Sequence, residues 1–319
     1  MHETLKRLGE FGVVPVVKIE KAADAVNLGK ALAAGDLPVA ELTFRTAAAE
    51  EAIRNINREV PEVLLGAGTV LSVEQAKKAL GAGAKFIVAP GFNPKVVDFC
   101  IGQGVPIIPG VCTPSEIEQA LERGLEVLKF FPAGASGGLD YLKAVVGPYG
   151  SVMFVPTGGV EPGNMKDYLA FKNVFAVGGT WIAKDTMISA GKFDEITRLA
   201  REAVILALGF EFAHLGLNEP DEKKAKADVE TMTKLFSFAP KDGTSSIFAG
   251  TGFEFTKAPG LGSHGHIAIS TLNIHRAIAF LSKKGMATKP ESAKEKDGKL
   301  IAIYLDTEVA GFAIHLLQR

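Results

Sequence analysis

The chain has 319 residues, 47% of them hydrophobic, and a formal net charge of -1. That length allows two globular domains with sizeable cores. The absence of a basic excess argues against a nucleic-acid-binding protein, and no apolar run approaches the roughly 20 residues that span a membrane.

Short apolar runs alternate with amphipathic stretches up to about Gly209. Eight strands are predicted: Val13–Ile19, Val39–Phe44, Leu64–Val70, Phe86–Pro90, Pro106–Cys112, Glu126–Phe131, Met153–Thr157 and Val174–Val177. Helices are predicted between them, and Phe193–Leu208 follows the last strand. Near-continuous apolar strands indicate burial on both faces and a parallel sheet. The repeated βα alternation predicts an α/β fold, a closed (β/α)8 TIM barrel, with an open doubly wound sheet as the alternative.

The remainder of the chain has a different order of predicted elements and contains five of the six histidines. The predicted elements are Phe212–Asn218, helix Glu222–Phe236, Ser246–Ala249, Gly252–Lys257, His266–Thr271, helix Ile274–Lys284, Lys299–Leu305 and Gly311–Leu317. This order predicts a smaller α+β domain of two βαββ-like repeats. We therefore expect domains at residues 1–208 and 209–319.

The N-terminus lacks the charged-then-apolar order of a signal peptide, so we expect a cytoplasmic protein. The two cysteines, Cys100 and Cys112, both lie in apolar segments. Inert buried thiols are expected, and a disulfide is the less favoured alternative.

Lys129 is the only charge in the apolar stretch Val127–Ala133. A lysine in apolar surroundings is usually paired or used, and a desolvated amine can attack a ketone to form a Schiff base. The structural alternative is a strand-end lysine that extends its ammonium to water.

Glu41 and Arg45 share one face of a predicted strand. An inward carboxylate near the end of a barrel strand suggests acid–base chemistry, whereas an ion pair of Glu41 with Arg45 or Lys129 would have only a structural role. Glycine-bearing turns such as Gly158–Gly159 and Gly178–Gly179 follow the seventh and eighth strands, where barrels often bind phosphate through backbone N–H groups.

Several motifs then occur in the order typical of one family. They are Glu41-Leu42-Thr43-Phe44-Arg45-Thr46, Gly66-Ala67-Gly68-Thr69, Pro90-Gly91, Gly110-Val111-Cys112-Thr113-Pro114-Ser115-Glu116, Lys129-Phe130-Phe131-Pro132-Ala133, Pro156-Thr157-Gly158-Gly159 and Val177-Gly178-Gly179-Thr180-Trp181. Residues Met1 to Leu208 thus resemble the 2-keto-3-deoxy-6-phosphogluconate / 4-hydroxy-2-oxoglutarate aldolases. The resemblance implies a class I aldolase, a TIM barrel that is typically a trimer and needs no metal.

The resemblance also implies roles for individual residues. Lys129 would form the imine with a small 2-keto acid, and Glu41 would move protons. The implied substrate-binding residues are Arg45, Thr69, Pro90, Phe131, Thr157, Gly158, Gly159, Gly179, Thr180 and Lys18. Departures from the family occur at Lys18 (often arginine), Phe44 (often leucine or valine), Gly134 (often glutamate) and Thr180 (often serine). They bear on phosphate dependence and aldehyde preference.

Residues Glu211 to Arg319 resemble the glyoxalase / vicinal-oxygen-chelate fold, through histidine-bearing strands that open or close each repeat. The resemblance implies a divalent metal held by His214, Glu254, His266 and His315. Relatives usually carry glutamate where His315 stands. Alternatively, these histidines are packed strand residues of a binding or assembly module. His264 and His275 are expected to be exposed.

The sequence therefore predicts a lyase that cleaves 2-dehydro-3-deoxy-6-phosphogluconate to pyruvate and glyceraldehyde 3-phosphate, or 4-hydroxy-2-oxoglutarate to pyruvate and glyoxylate. Alternatively, the chain is a bifunctional fusion with its own metal chemistry in the second domain. We expect the protein to form a homo-oligomer. Neither nucleic acid nor a membrane is an expected partner.

Overall fold

The computed structural model describes all residues from 1 to 319. The chain divides into two compact units, Met1–Ala207 and Leu208–Arg319. In the first unit all paired strands are parallel, whereas the second contains a mixed sheet. None of the helices is both long enough and apolar enough to cross a membrane.

The first unit alternates strands and helices. Its strands are β1 Val13–Val17, β2 Val39–Thr43, β3 Leu64–Gly68, β4 Phe86–Val88, β5 Ile107–Ile108, β6 Gly110–Val111, β7 Val127–Phe130, β8 Met153–Pro156 and β9 Val177–Gly179. Its helices are α1 Glu3–Phe11, α2 Ala25–Ala34, α3 Ala49–Glu59, α4 Val73–Ala82, α5 Pro94–Gly102, α6 Pro114–Glu122, α7 Gly138–Val145, α8 Pro162–Ala170, α9 Asp185–Ser189 and α10 Phe193–Leu208. A 3-10 turn, Ala22–Asp24, precedes α2.

The strands close into a (β/α)8 barrel, as predicted, and the open-sheet alternative is wrong. The pairing order is β5-β4-β3-β2-β1-β9 in one sheet and β6-β7-β8 in the other. A parallel bridge between Thr157 and Gly178 joins β8 to β9. The predicted fifth strand, Pro106–Cys112, is interrupted at Pro109, which has no N–H to donate, so β5 and β6 are its two halves.

Small differences from the predicted elements have local causes. The last barrel strand lies at Val177–Gly179 rather than Val174–Val177, because Val174 forms only an isolated bridge with Phe154. The amphipathic helix α1 and the short helix α9 were not predicted.

The second unit is one eight-stranded sheet with two helices. Its elements are β10 Glu211–Leu217, α11 Glu222–Phe236, β11 Pro240–Asp242, β12 Ser246–Ala249, β13 Phe253–Thr256, β14 Gly265–Thr271, α12 Ile274–Lys283, β15 Thr288–Lys296, β16 Lys299–Val309 and β17 Phe312–Gln318. The strand order is β11-β12-β13-β10-β14-β17-β16-β15.

The two halves of this unit are βαβββ repeats, so the predicted βαββ pattern lacked one strand in each. The missing strands, β11 and β15, lie at the two sheet edges and are mostly exposed. Their sequences, PKD and TKPESAKEK, have no apolar alternation that would signal a strand.

A compact core forms on one face of this sheet. Ala225 and Val229 of α11 pack with Ile247, Ala249 and Phe255. Because side chains alternate along a strand, Glu254 lies on the opposite face from Phe255. That opposite face carries the histidines.

Candidate active site

The strand β7 places Lys129 in the interior of the barrel. Its residue is only 5% exposed. Its neighbour Phe130 faces the other way, where it stacks on Tyr141 with ring centroids 5.2 Å apart. The packing of Phe130 therefore fixes the strand orientation that directs Lys129 inward.

Glu41 reaches Lys129 from β2, on a strand that is not a neighbour of β7. Lys129 Nζ donates a hydrogen bond to Glu41 Oε1 at 3.2 Å, and both side chains are 6% exposed. A buried ion pair of this kind keeps the nitrogen and a proton acceptor within transfer distance. The alternative that Lys129 extends to water is wrong.

Glycine at position 68 leaves space for the Glu41 carboxylate. An added Cβ at Gly68 would collide with the Glu41 carboxylate. Gly68 pairs with Thr43 in the β2–β3 register, so β3 forms the wall against which Glu41 lies.

The polar residues around β2 and β1 form two separate groups. Thr43 is buried, donates to Val17 O at 3.0 Å, and accepts a hydrogen bond from Arg45 Nε at 3.2 Å. Arg45 thus binds Thr43, and the alternative Glu41–Arg45 ion pair is not formed.

Lys18 binds Glu20 and Asp185, with Nζ–O distances of 2.6 and 3.4 Å. The hydrogen bond that Lys18 donates to Glu20, aided by the negative charges of Glu20 and Asp185, raises the pKa of Lys18.

Phe131 directly follows β7, and Pro90 lies against Gly110 of the neighbouring strand β6. The Lys129 Nζ is 5.4 Å from the centroid of the Phe131 ring, a cation–π distance. Gly110 pairs with Lys129, and a Cβ there would collide with the carbonyl of Pro90. The glycine therefore allows the end of β4 to approach the site.

The glycine turns lie at the carboxyl ends of β8 and β9, the end at which barrel enzymes carry their sites. Thr157 is buried, and a Cβ at Gly178 would collide with its side chain. Gly158 and Gly159 have φ values of 84° and 85°, a conformation that favours glycine. The N–H of Gly134 donates to Gly158 O at 2.8 Å and braces this turn.

Two further predicted residues lie at strand ends on the same rim. Thr69 follows β3 and adopts a left-handed φ of 54°, which is uncommon for a β-branched residue. Thr180 follows Gly179 of β9 and is exposed. Both positions are compatible with contact to a substrate at the rim.

A second cluster of titratable groups lies in the C-terminal unit. His214 Nε2 and His266 Nε2 are 2.9 and 3.0 Å from Glu254 Oε2 and 3.2 Å from each other. Ser246 donates to the other carboxylate oxygen at 2.5 Å. Burial alone would raise the pKa of Glu254, but hydrogen bonds from His214, His266 and Ser246 lower it well below its usual range.

His315 completes this cluster. Ligand nitrogens of His214, His266 and His315 lie within 4.8 Å of one another, and all three residues are buried. The Nε2 of His315 has no hydrogen-bond partner, although it is buried. Burial, with the neighbouring His266 and His214, lowers its pKa to about 3, so the ring is neutral and keeps a free lone pair. Such a donor set fits a divalent transition metal.

The remaining predictions for single residues differ in outcome. His264 and His275 are exposed, as predicted. Both cysteines are free and Cys100 is buried, but Cys112 is half-buried because it follows β6 at the end of the strand.

Four residues of these sites have no role predicted from the sequence. Period-two spacing predicts Thr43 on the strand face of Glu41 and Arg45, but its contact with Arg45 is a finding of the structure. Asp185, Ser246 and Tyr304 contact site residues far from them in sequence, and no local pattern signals such contacts. The Tyr304 ring stacks on His315 at a centroid distance of 4.7 Å.

Comparison with known proteins supports an aldolase site in the barrel. The family model of KDPG and KHG aldolases matches residues 4–199. A 2-dehydro-3-deoxy-phosphogluconate aldolase of Treponema pallidum is 50% identical over 204 residues, 64% of this chain and 96% of the relative. The KHG/KDPG aldolase of Escherichia coli is 46% identical over 192 residues, 60% of this chain and 90% of the relative.

Solved structures agree with this result. A KDPG aldolase from Legionella pneumophila, with pyruvate captured as a covalent carbinolamine intermediate, has a TM-score of 0.61 and 36% identity. The match covers 63% of this chain and 98% of that chain. The 2-keto-3-deoxy-6-phosphogluconate aldolase of Zymomonas mobilis with 3-phosphoglycerate has a TM-score of 0.59 and 38% identity, over 63% and 95% of the two chains. With its barrel, its buried lysine–glutamate pair and these similarities, the chain belongs to the KDPG and KHG aldolase family of class I lyases.

Proposed function

We propose that the barrel unit cleaves 2-dehydro-3-deoxy-6-phosphogluconate to pyruvate and glyceraldehyde 3-phosphate, and 4-hydroxy-2-oxoglutarate to pyruvate and glyoxylate. The observation that carries this proposal is the 3.2 Å contact between the buried Lys129 and Glu41. The imine chemistry requires a lysine and a proton acceptor in just this relation.

The steps follow from the two side chains. Glu41 takes a proton from the Lys129 ammonium, and the free amine attacks the C2 ketone to give a carbinolamine. Glu41 returns this proton to the carbinolamine hydroxyl, and loss of water yields a protonated imine, which acts as an electron sink. Glu41 then takes the C4 hydroxyl proton, the C3–C4 bond breaks, and the aldehyde leaves an enamine on Lys129. Protonation at C3 and hydrolysis release pyruvate.

Binding of the rest of the substrate is assigned to the rim. Thr157, Gly158, Gly159, Gly179 and Thr180 would bind the phosphate through hydroxyl and N–H groups. Arg45 and Thr69 would bind the carboxylate end, and Pro90 and Phe131 would line the pocket. Lys18 lies between two carboxylates, so we assign it a weaker share of phosphate binding than a free cation would have.

Borohydride trapping with pyruvate tests the imine directly. We expect one reduced adduct, which peptide mapping places on Lys129, and none in Lys129→Ala. A folded protein without an adduct, or with the adduct elsewhere, would contradict the proposal.

To test the phosphate assignment, we compare Thr180→Val with wild type. KM should rise for the phosphorylated substrate and stay unchanged for 4-hydroxy-2-oxoglutarate.

A second function, in residues Leu208–Arg319, is supported by the buried Nε2 of His315, which has no hydrogen-bond partner. We propose that this unit is a glyoxalase-like domain in which His214, Glu254, His266 and His315 hold a divalent metal ion, which would supply Lewis-acid chemistry. Ser246 would orient Glu254, and Tyr304 would fix the ring of His315 by stacking.

Elemental analysis of protein purified without chelator tests this second proposal. About one equivalent of metal is expected in wild type and a substoichiometric amount in His266→Ala. Exposed His275 provides the matched control, because His275→Ala should keep the metal. Metal-free wild type, even after soaking with zinc, nickel and manganese salts, would contradict the proposal and favour a binding or assembly role. For assembly, we propose a homotrimer, as the family resemblance implies, and light scattering of the full chain tests it.

A further inference from the structure

The metal-binding cluster is built from two equivalent pairs of residues. In the antiparallel pairing of β10 with β14, His214 lies opposite Ala268 and Gly216 lies opposite His266. His214 and His266 therefore occupy equivalent places in the two repeats.

The second pair lies on the last strand of each repeat. Gly216 pairs with Glu254 on β13, and Ala268 pairs with His315 on β17. Since Gly216 and Ala268 are themselves equivalent, Glu254 and His315 are equivalent too. The cluster thus departs from two-fold symmetry at one place, where an imidazole takes the position of a carboxylate.

This departure changes the charge of the site. Glu254 is the only carboxylate within ion-pair distance of the three histidines. Three neutral imidazoles and one carboxylate around a divalent ion leave a net charge of +1, whereas two carboxylates would leave none. The positive charge of Lys294 also acts at His315.

An uncompensated positive charge is costly in these surroundings. All three histidines are at most 8% exposed. Aromatic rings enclose them, because Phe248 packs edge-on against His214 and Tyr304 stacks on His315. A buried charge needs a counter-charge, and attraction between charges is strong where water is excluded.

We propose that the C-terminal unit binds a small carboxylate anion at the His315 side of its metal ion, where the equivalent carboxylate is missing. This inference rests on the metal site proposed above. The anion supplies the negative charge that a glutamate would otherwise contribute, so the site is selective for anions over neutral molecules of the same shape.

Cobalt-loaded full-length protein gives a readout that is specific to this site. We titrate it with oxalate and, separately, with the neutral analogue oxamide, and follow the visible absorption bands of Co²⁺. Oxalate should change the spectrum with a Kd at least about tenfold lower than that of oxamide, equivalent to 1.4 kcal/mol. Equal responses to the two probes, or no response to either, would overturn the proposal.

Variants that change the charge near the metal ion test whether positive charge causes the selectivity for anions. His315→Glu should still bind cobalt and should weaken oxalate binding at least about tenfold, while the exposed control His275→Glu should not. Lys294→Glu keeps all four ligands and should weaken oxalate binding in the same direction. Unchanged oxalate affinity in both His315→Glu and Lys294→Glu would overturn the proposal. Cobalt bound at one equivalent without these effects refutes the anion site alone, whereas no bound cobalt refutes the metal site itself.

Discussion

Lys129 and Glu41 depend on each other, because each is buried in an apolar barrel interior with the other as its charged partner. Removing one partner of such a pair leaves a desolvated charge and typically costs about 3–5 kcal/mol. Replacing both partners avoids that cost, although it also removes the chemistry. Activity and stability are therefore expected to respond differently to single and double substitutions.

We expect Lys129→Met to lower kcat by at least about 10³-fold and to destabilise the barrel by about 3–5 kcal/mol. Adding Glu41→Gln should recover part of the stability and none of the activity. Urea unfolding, followed by fluorescence of the single tryptophan, buried Trp181, measures this. If the double variant is less stable than Lys129→Met, the two side chains do not act as a compensated ion pair.

Gly68→Ala tests the wall behind Glu41. The new methyl group would collide with the Glu41 carboxylate, so the carboxylate has to move away from Lys129. A displacement of about 1 Å can lower kcat by about 10²-fold. Gly163→Ala is the control, because an added Cβ there meets nothing within 4 Å. Steady-state kinetics of both variants measure the effect. A wild-type kcat in Gly68→Ala would contradict the placement of the Glu41 carboxylate against Gly68.

The two cysteines should differ in reactivity. Burial raises the pKa of the Cys100 thiol to about 11, so less than about 1% is the reactive thiolate at pH 8.5, and the side chain is also inaccessible. Iodoacetamide should therefore label only half-buried Cys112 in the native protein, and both cysteines in urea. Labelling of Cys100 should rise as the pH approaches 11. Peptide mass spectrometry measures the two sites, and rapid native labelling of Cys100 at pH 8.5 would contradict its burial.

The sequence could predict that Lys129 and Glu41 matter, because each is a charge in an otherwise apolar strand. It could not predict the contact of Lys18 with Asp185, because Asp185 is 167 residues away and no periodic pattern links the two residues. The same holds for Tyr304, which reaches His315 only through the register of β16 and β17. Contacts within one strand follow from alternation, whereas contacts between strands require the fold.

At the level of elements, predictions succeeded where a hydrophobic period was long and failed where it was short or absent. Helix Glu222–Phe236 has the predicted bounds because its apolar face and the cap Asp221 mark it clearly. Strand β15 could not be predicted, since an exposed edge strand needs no apolar face. Pro109 divides a predicted strand because its ring removes a ladder hydrogen bond.

The helix α6 supports the rim through its first turn. Glu116 accepts hydrogen bonds from the N–H groups of Cys112 and Thr113 at 2.7 and 2.9 Å, forming a capping box. Glu116→Ala should destabilise the barrel by about 1–2 kcal/mol, whereas Glu122→Ala, exposed in the same helix, should change stability by less than about 0.5 kcal/mol. Thermal unfolding compares the two variants. Equal melting temperatures would mean that the capping box contributes nothing.

At the scale of the whole molecule, the chain joins two units with different chemical resources. The barrel contains a buried lysine–glutamate pair to which we assign metal-free imine chemistry. The second unit contains three histidines and a glutamate whose donor atoms are suited to hold a metal ion. The eightfold βα alternation made the barrel predictable from sequence. In the second unit, histidines at corresponding places in the two repeats indicated the cluster. The short distances between these side chains depend on strand pairing, which the sequence does not specify.

Chelation should therefore separate the two units functionally. We expect EDTA to leave kcat for aldol cleavage unchanged, because the imine that we propose on Lys129 needs no metal. It should lower the protection of β10, β13, β14 and β17 in hydrogen exchange, since a ligand present at 100 times its Kd stabilises the folded state by about 2.7 kcal/mol. His266→Ala is the control, because its exchange should no longer respond to EDTA. Loss of aldolase activity on chelation, restored by metal, would instead mean that the second unit's ion governs the barrel.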